Sequence, residues 1–325
     1  MRRVIVSPTL RALLALMLVL TLGSIFHAHG AFLHLSTHRD ALRQASVHGI
    51  LAAGMTLVIV SGGIDLSVGS VVALVAVVAS TLAMHLGAPS VLTVGAALAV
   101  GASCGAISGA LVARAGVQPF VATLAMMVFA RGLAKFSSGG MKVSTAVRQA
   151  DGSYQYVDVP PLFRFLDQRV LFDNVSVVTL VFAGCIAAVW VVLSCTVFGR
   201  RLYAVGGNEQ AARYAGVPVS FTKIAAYAGC GLLAAVAGLC QAAQEQQGDP
   251  ETGVGYELTA IAMVVMGGTS LAGGRGGAGF TLLGVLTIGY LEKILSINAV
   301  PEAGRLVLTG VVLVLAVLVQ RSRSR

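Results

Sequence analysis

The chain has 325 residues, 57% of them hydrophobic and 11% charged, where an ordinary soluble domain carries about 25% charged residues. That balance excludes a water-soluble fold. At about 20 apolar residues per crossing, it leaves room for one polytopic membrane domain over 1–325 and little else. The formal charge of +9 comes from 18 Arg and 4 Lys against 13 acidic residues; with no aromatic-interleaved basic run, it points to membrane orientation and not to nucleic acid.

Apolar runs between breakers predict an all-α chain of about ten spans, near 10–32, 44–61, 66–86, 90–113, 117–136, 175–197, 222–243, 256–272, 277–296 and 304–320. Met1-Arg2-Arg3 precedes the first run, and no small-x-small cleavage pattern lies between Ser24 and Ala31, so the run is read as a span and not a leader. His27, His29, His34 and His38 crowd the first outer turn without cysteine or ordered acidic partners. They read as a solvated turn and not as a metal site. The second junction holds Gly62, Gly63, Asp65, Ser67 and Gly69. Its glycines end one helix, and Asp65 caps the next. On the fifth span Arg131 and Lys135 stand four apart on one face. Arg131 lies about 8 Å from the outer end, where both a place on a polar pathway and snorkelling account for it.

The outer segment 137–173, with Pro160, Pro161, mixed charge and aromatics, reads as an ordered surface piece. The inner segment 198–221 is the only substantial cytoplasmic feature. In it Gly206, Gly207 and Asn208 form a breaker, and Glu209 to Tyr214 form a short helix capped by Asn208 and stopped by Gly216 and Pro218. Glu209 lies in the first turn, where the helix favours negative charge. Ala211 and Ala212 give that helix a small-residue surface suited to a partner's groove. A second glycine run, Gly267, Gly268, Gly273 and Gly274, matches 62–69 at four of eight positions with an offset of 205. It predicts two tight inner turns of shared geometry. Glu257 and Glu292 come nearest to intramembrane carboxylates, both at outer span ends. Cys104, Cys185, Cys195, Cys230 and Cys240 lie in apolar stretches without CxxC spacing and read as buried, reduced residues.

With the amino terminus inside, the cytoplasmic pieces carry 12 basic and 2 acidic residues, and the outer pieces 9 basic and 11 acidic. This asymmetry predicts both termini in the cytoplasm. No GxxxxGK[ST], HExxH or GxSxG occurs, so no catalytic residue and no P-loop are read here. An ATP motor would be another chain.

Four stretches carry a resemblance: GMTLVIVSGGIDLSVGS at 54–70, VQPFVATLAMMVFARGLA at 117–134, GRRLYAVGGNEQAARYAGV at 199–217 and GYELTAIAMVVMGGTSLAGG at 255–274. The chain resembles the permease subunits of ribose-type monosaccharide ABC importers from about residue 45 to 320, with QPFVATL also similar to the galactofuranose-type branch. The resemblance implies a multi-pass protein of the bacterial inner membrane that moves a monosaccharide. Its implied partners are a cytoplasmic ABC ATPase, which holds ATP and Mg so that this chain needs no cofactor, a periplasmic sugar-binding protein, and a second permease copy or paralogue. It also implies that 199–217 is the loop that grips the ATPase, through Glu209, Ala211, Ala212 and Gly216. The chain departs from the family at Thr259, where Asp is common, and at Glu292 and Lys293, where paired Asn is common. Both departures bear on which solute passes. An ion-coupled secondary transporter and an ABC permease for a non-sugar solute are the alternatives; a membrane-embedded enzyme lacks its constellation.

Overall fold

Apolar runs without interior proline fold as helices because hydrocarbon offers the backbone no outside hydrogen-bond partner. The structure is a computed structural model that describes residues 8–148, 151–301, 303–305, 307–308 and 310–311. In chain order the helices are α1 (Pro8–Ile25), α2 (Leu35–Val60), α3 (Val68–Ser80), α4 (Ser90–Ala113), α5 (Pro119–Ser138), α6 (Pro161–Asp167) and α7 (Val177–Cys195). They continue as α8 (Val197–Gly207), α9 (Glu209–Tyr214), α10 (Val219–Glu245), α11 (Tyr256–Gly267) and α12 (Ala278–Ile297). The third runs on through a wider π turn, Thr81–His85.

Seven of the described helices are long and apolar enough to cross a membrane: α2, α3 with its π turn, α4, α5, α7, α10 and α12. The first expected span ends early, at Ile25. The eighth differs more. Its helix has 12 residues, about 18 Å at 1.5 Å per residue, too short to cross. Gly268 at φ +110° ends it, so the glycines at 268–274 that extended the apolar run belong to a turn. Most of the tenth expected span, 304–320, lies outside the described residues.

The core is centred on α2, α3 and α10, whose facing residues are fully buried. α10 lies closest along α4. Gly101, Gly105 and Gly109 of α4 recur every four residues on one face. A β-carbon on Gly105 would stand 2.1 Å from the Tyr227 carbonyl oxygen, and one on Gly101 2.3 Å from that of Gly231. The two backbones meet because both lack side chains there, the small-residue packing that membranes favour.

The described residues of 137–173 carry short elements of their own. β1 (Ala146–Arg148) pairs antiparallel with β2 (Tyr154–Tyr156), and β3 (Arg169–Val170) with β4 (Val175–Ser176). Between the pairs, α6 buries Phe163 and Leu166. Arg43 pairs with Asp167, and Arg169 with Asp40 at 2.7 Å, so the segment is tied to the outer end of α2. His38 packs between Phe32 and Tyr290, and His27 Nδ1 accepts the Gly30 amide at 2.8 Å. Of the cysteines, Cys104, Cys230 and Cys240 are buried, but Cys185 is half-buried and Cys195 exposed. An apolar sequence context fixes depth in the membrane, not which way a helix face turns.

Candidate functional site

Three segments, the two glycine turns and the end of α8, meet through their main chains. α7 ends at Thr196, whose side-chain oxygen accepts the Gly199 amide at 3.1 Å and starts α8. α8 stays helical through Gly206 and Gly207, and Asn208, in extended conformation, makes the break. The expected Gly-Gly breaker is therefore one residue long. Gly206 serves close approach instead. A β-carbon on Gly206 would stand 1.9 Å from the Val60 carbonyl oxygen and 2.7 Å from the Gly274 nitrogen. One on Gly273 would stand 2.9 Å from Gly62 Cα, and one on Gly274 2.7 Å from Gly207 Cα. The Gly274 amide donates to Val60 O at 2.9 Å, and Tyr203 of α8 donates its hydroxyl to Gly276 O at 2.9 Å.

The two inner turns thus enclose the end of α8, but they do not share a conformation. Gly62 takes φ +84° while its match, Gly267, is helical and packs on α12, where a β-carbon would stand 1.9 Å from Phe280 O. The second turn, from Gly268 to Gly277, is also longer. A shared spacing of glycines records backbone proximity here, not a common turn.

α9 follows as expected. Asn208 Oδ1 accepts the Ala211 amide at 2.9 Å, and Gly216 at φ +78° closes the helix. Glu209 accepts from Arg213 at 3.2 Å and from Lys223 of α10. The Lys223 ammonium is the main reason the Glu209 carboxyl sits below the ordinary carboxylate value. Ala212 corrects the sequence reading. It is buried against Val205 and Val219 and seats α9 on its own protein, while Gln210, Ala211, Arg213 and Tyr214 face solvent. The small side chain marks an internal contact.

The first inner turn rises into the protein. Ile64 O accepts the Tyr227 hydroxyl at 3.3 Å and the Thr123 hydroxyl at 3.4 Å. Tyr227 lies eight residues into α10, about 12 Å from its start. Asp65, 1% exposed, accepts the Ser67 amide at 2.9 Å and the Ser67 hydroxyl at 2.6 Å on one oxygen, with the Cys230 thiol beside it. The expected cap of α3 is corrected: Ser67 is the N-cap, without a side-chain cap bond, and Asp65 instead closes a tight turn onto Ser67 just before the helix. Non-helical backbone at this depth is tolerated because protein encloses it.

Gly69 belongs elsewhere. A β-carbon there would stand 2.1 Å from Gly253 O and 2.6 Å from the Glu257 carboxylate, so it meets the segment between α10 and α11 and not an inner turn. Arg131 and Glu257 line one cavity of about 410 Å³ between α3, α5 and the start of α11, with Ser70, Met127, Lys135 and Val254. Arg131 Nη1 donates to Pro250 O at 2.5 Å and Thr252 O at 2.7 Å, so its head is held by the segment between α10 and α11. Glu292 does not join them. It lies on α12, on the side of Tyr256, whose ring packs tilted against His48 with centroids 4.3 Å apart.

Sequence reasoning missed Tyr203, Tyr227 and Lys223. Tyr227 carried a signal, as a lone hydroxyl within the apolar run AAYAGC; Tyr203 carried none, because its partner is a carbonyl 73 residues away.

One family model matches residues 39–317, described as branched-chain amino acid transport system / permease component. The ribose import permease protein of Escherichia coli (strain K12) is 39% identical over 314 residues, which cover 97% of this chain and 94% of the relative. That of Bacillus subtilis (strain 168) is 37% identical over 289 residues, 88% and 84% of the two chains. The xylose transport system permease protein of Escherichia coli (strain K12) is 33% identical over 361 aligned positions, 97% of this chain and 91% of the relative. No solved structure matches the chain.

Proposed function

From the premise that the chain belongs to the branched-chain amino acid transport system / permease component family, we propose that it is the membrane-spanning subunit of an ABC importer for a monosaccharide. The relatives named as ribose and xylose permeases support the cargo class, because they match along almost the whole chain. The chain moves solute and carries no ATPase of its own; ATP and Mg bind to a cytoplasmic ABC ATPase beneath it. A periplasmic binding protein delivers the sugar to the outer face. The charge asymmetry supports ten spans in the bacterial inner membrane with both termini inside.

The observation that carries the reading is the inner elbow. α9 is capped at both ends, seated by Ala212, and shows Gln210, Arg213 and Tyr214 outward. Just behind it, α8 is wedged between the two inner turns. A push on α9 therefore reaches α2, α3, α11 and α12 through main-chain contacts, in addition to α7 and α10 through the chain itself. ATP-driven closure of the motor pair moves the elbow, and the pathway alternates between outward and inward access.

A second copy, or a paralogue, covers the outward face of α5. There Phe120, Val121, Val128 and Phe129 are exposed, and the Arg131–Glu257 cavity opens beside them. Ionisable groups turned to hydrocarbon are costly, and a facing permease removes that cost while completing a passage.

Proteoliposomes holding permease, ATPase and binding protein test the reading. ATP-dependent uptake of D-ribose or another monosaccharide is expected. The family's own description favours a second reading, an amino-acid cargo; ATP-dependent uptake of L-leucine with no monosaccharide uptake would establish it instead. Uptake that persists without the ATPase and collapses with an ionophore would make the chain an ion-coupled carrier.

A further inference from the structure

Residues 246–255, between α10 and α11, are a strap. Val143 and Gly248 exchange two backbone hydrogen bonds, at 2.8 and 2.7 Å. Lys142 pairs with Asp249 at 3.0 Å, and Lys135 with Glu251 at 2.5 Å. Arg131 holds the carbonyls of Pro250 and Thr252. From the other side Gly253 presses on Gly69, where a β-carbon would stand 2.3 Å from the Gly69 carbonyl oxygen. The strap is thereby fixed between α3 and α5 and forms one wall of the cavity that Arg131 and Glu257 share.

The charges in this cavity are unequally engaged. Lys135 is paired with Glu251, and Arg131 is bonded to the strap. Among the described residues Glu257 forms no ion pair and accepts from no other side chain; main-chain amides at Gly255 and at its own position hold it, with the Arg131 charge nearby. The cavity charge without a side-chain partner is thus a carboxylate, an acceptor only, with lone pairs to spare beyond its main-chain bonds. It suits a molecule rich in hydroxyl donors, and it repels a second carboxylate. Met127 and Val254 supply apolar wall against which the C–H faces of a sugar ring can lie. The volume falls within the range of small-molecule sites.

We propose that this cavity is a cargo subsite for an uncharged polyhydroxylated molecule, with Glu257 as its hydroxyl acceptor and Arg131 as the positioning residue that holds the strap wall. It rests on the monosaccharide reading above and adds a site to it.

Saturation-transfer NMR on the purified full-length permease in nanodiscs tests it, with D-ribose and L-leucine as probes. Ribose signals are expected, weakened at least about tenfold by Glu257→Gln, the loss of one charge-assisted hydrogen bond. Val254→Trp, which fills the mouth, removes them by volume alone and serves if the first variant fails to fold. Hydrogen exchange separates the roles. Arg131→Met should speed amide exchange at 246–255 and lower the ribose signal, Arg131→Lys should restore both, and Glu257→Gln should leave that exchange unchanged.

Ribose signals that survive both Glu257→Gln and Val254→Trp overturn the subsite, as do leucine signals that vanish with Glu257→Gln. Silence from the wild-type permease, when the assembled transporter takes up ribose, overturns the subsite and leaves the importer reading standing. An assembled transporter that takes up no monosaccharide overturns both.

Discussion

Gly206 and Val60 approach so closely that a β-carbon on the glycine would stand 1.9 Å from the valine's carbonyl oxygen. That oxygen also accepts the Gly274 amide, so three chain segments share one point. Gly206→Ala cannot be absorbed by a rotamer change, since every neighbour is main chain. It should destabilise the permease by about 1–3 kcal/mol, the usual effect of overpacking. Thermal unfolding of the purified protein reads the loss, and sugar-stimulated ATP turnover of the complex should fall with it. Gly207, with nothing within 4 Å of its β-position, is the control: Gly207→Ala should change neither measurement appreciably.

Gly216 poses the opposite problem, because space around it is open but its φ is +78°. Gly216→Val should therefore strain the end of α9 by about 1–2 kcal/mol, and Gly216→Asn should be far milder, as asparagine tolerates this region. Coupling of ATP turnover to sugar should drop in the valine variant and largely persist in the asparagine one. Equal coupling in both would show that α9 does not depend on its closing turn.

Glu209 gives a pH dependence with a definite sign. Its carboxyl is held below the usual carboxylate range, first by the Lys223 hydrogen bond, so the pair supports α9 at neutral pH and is lost as pH falls through the lowered value. Amide exchange at 209–214 should stay slow near pH 7 and quicken on the acid side of the ordinary carboxylate range. In Glu209→Gln the acid-side change should disappear. Because Glu209 is partly exposed, the effect should weaken in high salt.

Tyr203 reaches across to the second inner turn, and Tyr203→Phe removes the 2.9 Å bond to Gly276 O. About 1 kcal/mol is at stake. Faster amide exchange confined to residues 270–277 is the expected result; an unchanged pattern would mean that backbone contact alone holds the turn.

Along α4 two glycines make a matched pair of tests. A leucine at Gly105 would drive its β-carbon to 2.1 Å from Tyr227 O and should prevent α4 from seating on α10. At Gly95 nothing lies within 4 Å, and Gly95→Ala should be neutral or raise stability by about 0.5–1 kcal/mol through helix propensity. Yield of monodisperse protein and melting temperature separate the two.

What the sequence disclosed follows the range of the forces involved. Helix positions and the short helix at 209–214 were readable because hydropathy and capping act within a few residues. The half-length of α11 was not, since the glycines at 267–268 and 273–274 extend an apolar run as readily as they end a helix. Ala212 was misplaced because alanine serves equally on a surface and in a tight contact. That Arg131 and Glu257, 126 positions apart, line one cavity while Glu292 lies apart from both depends on how helices are laid side by side, which no local pattern records.

One stretch of eight residues touches both ends of the molecule's business. Gly62 lies against the elbow at Gly206 and Gly273, and Gly69 lies against Gly253 and Glu257 at the cavity. Seven peptide steps, at most about 25 Å of extended chain, separate them. Because glycine backbone makes both contacts, the stretch is indifferent to which solute occupies the cavity. The same short relay can serve different cargoes while substitutions at Glu257 and its neighbours retune the chamber above it.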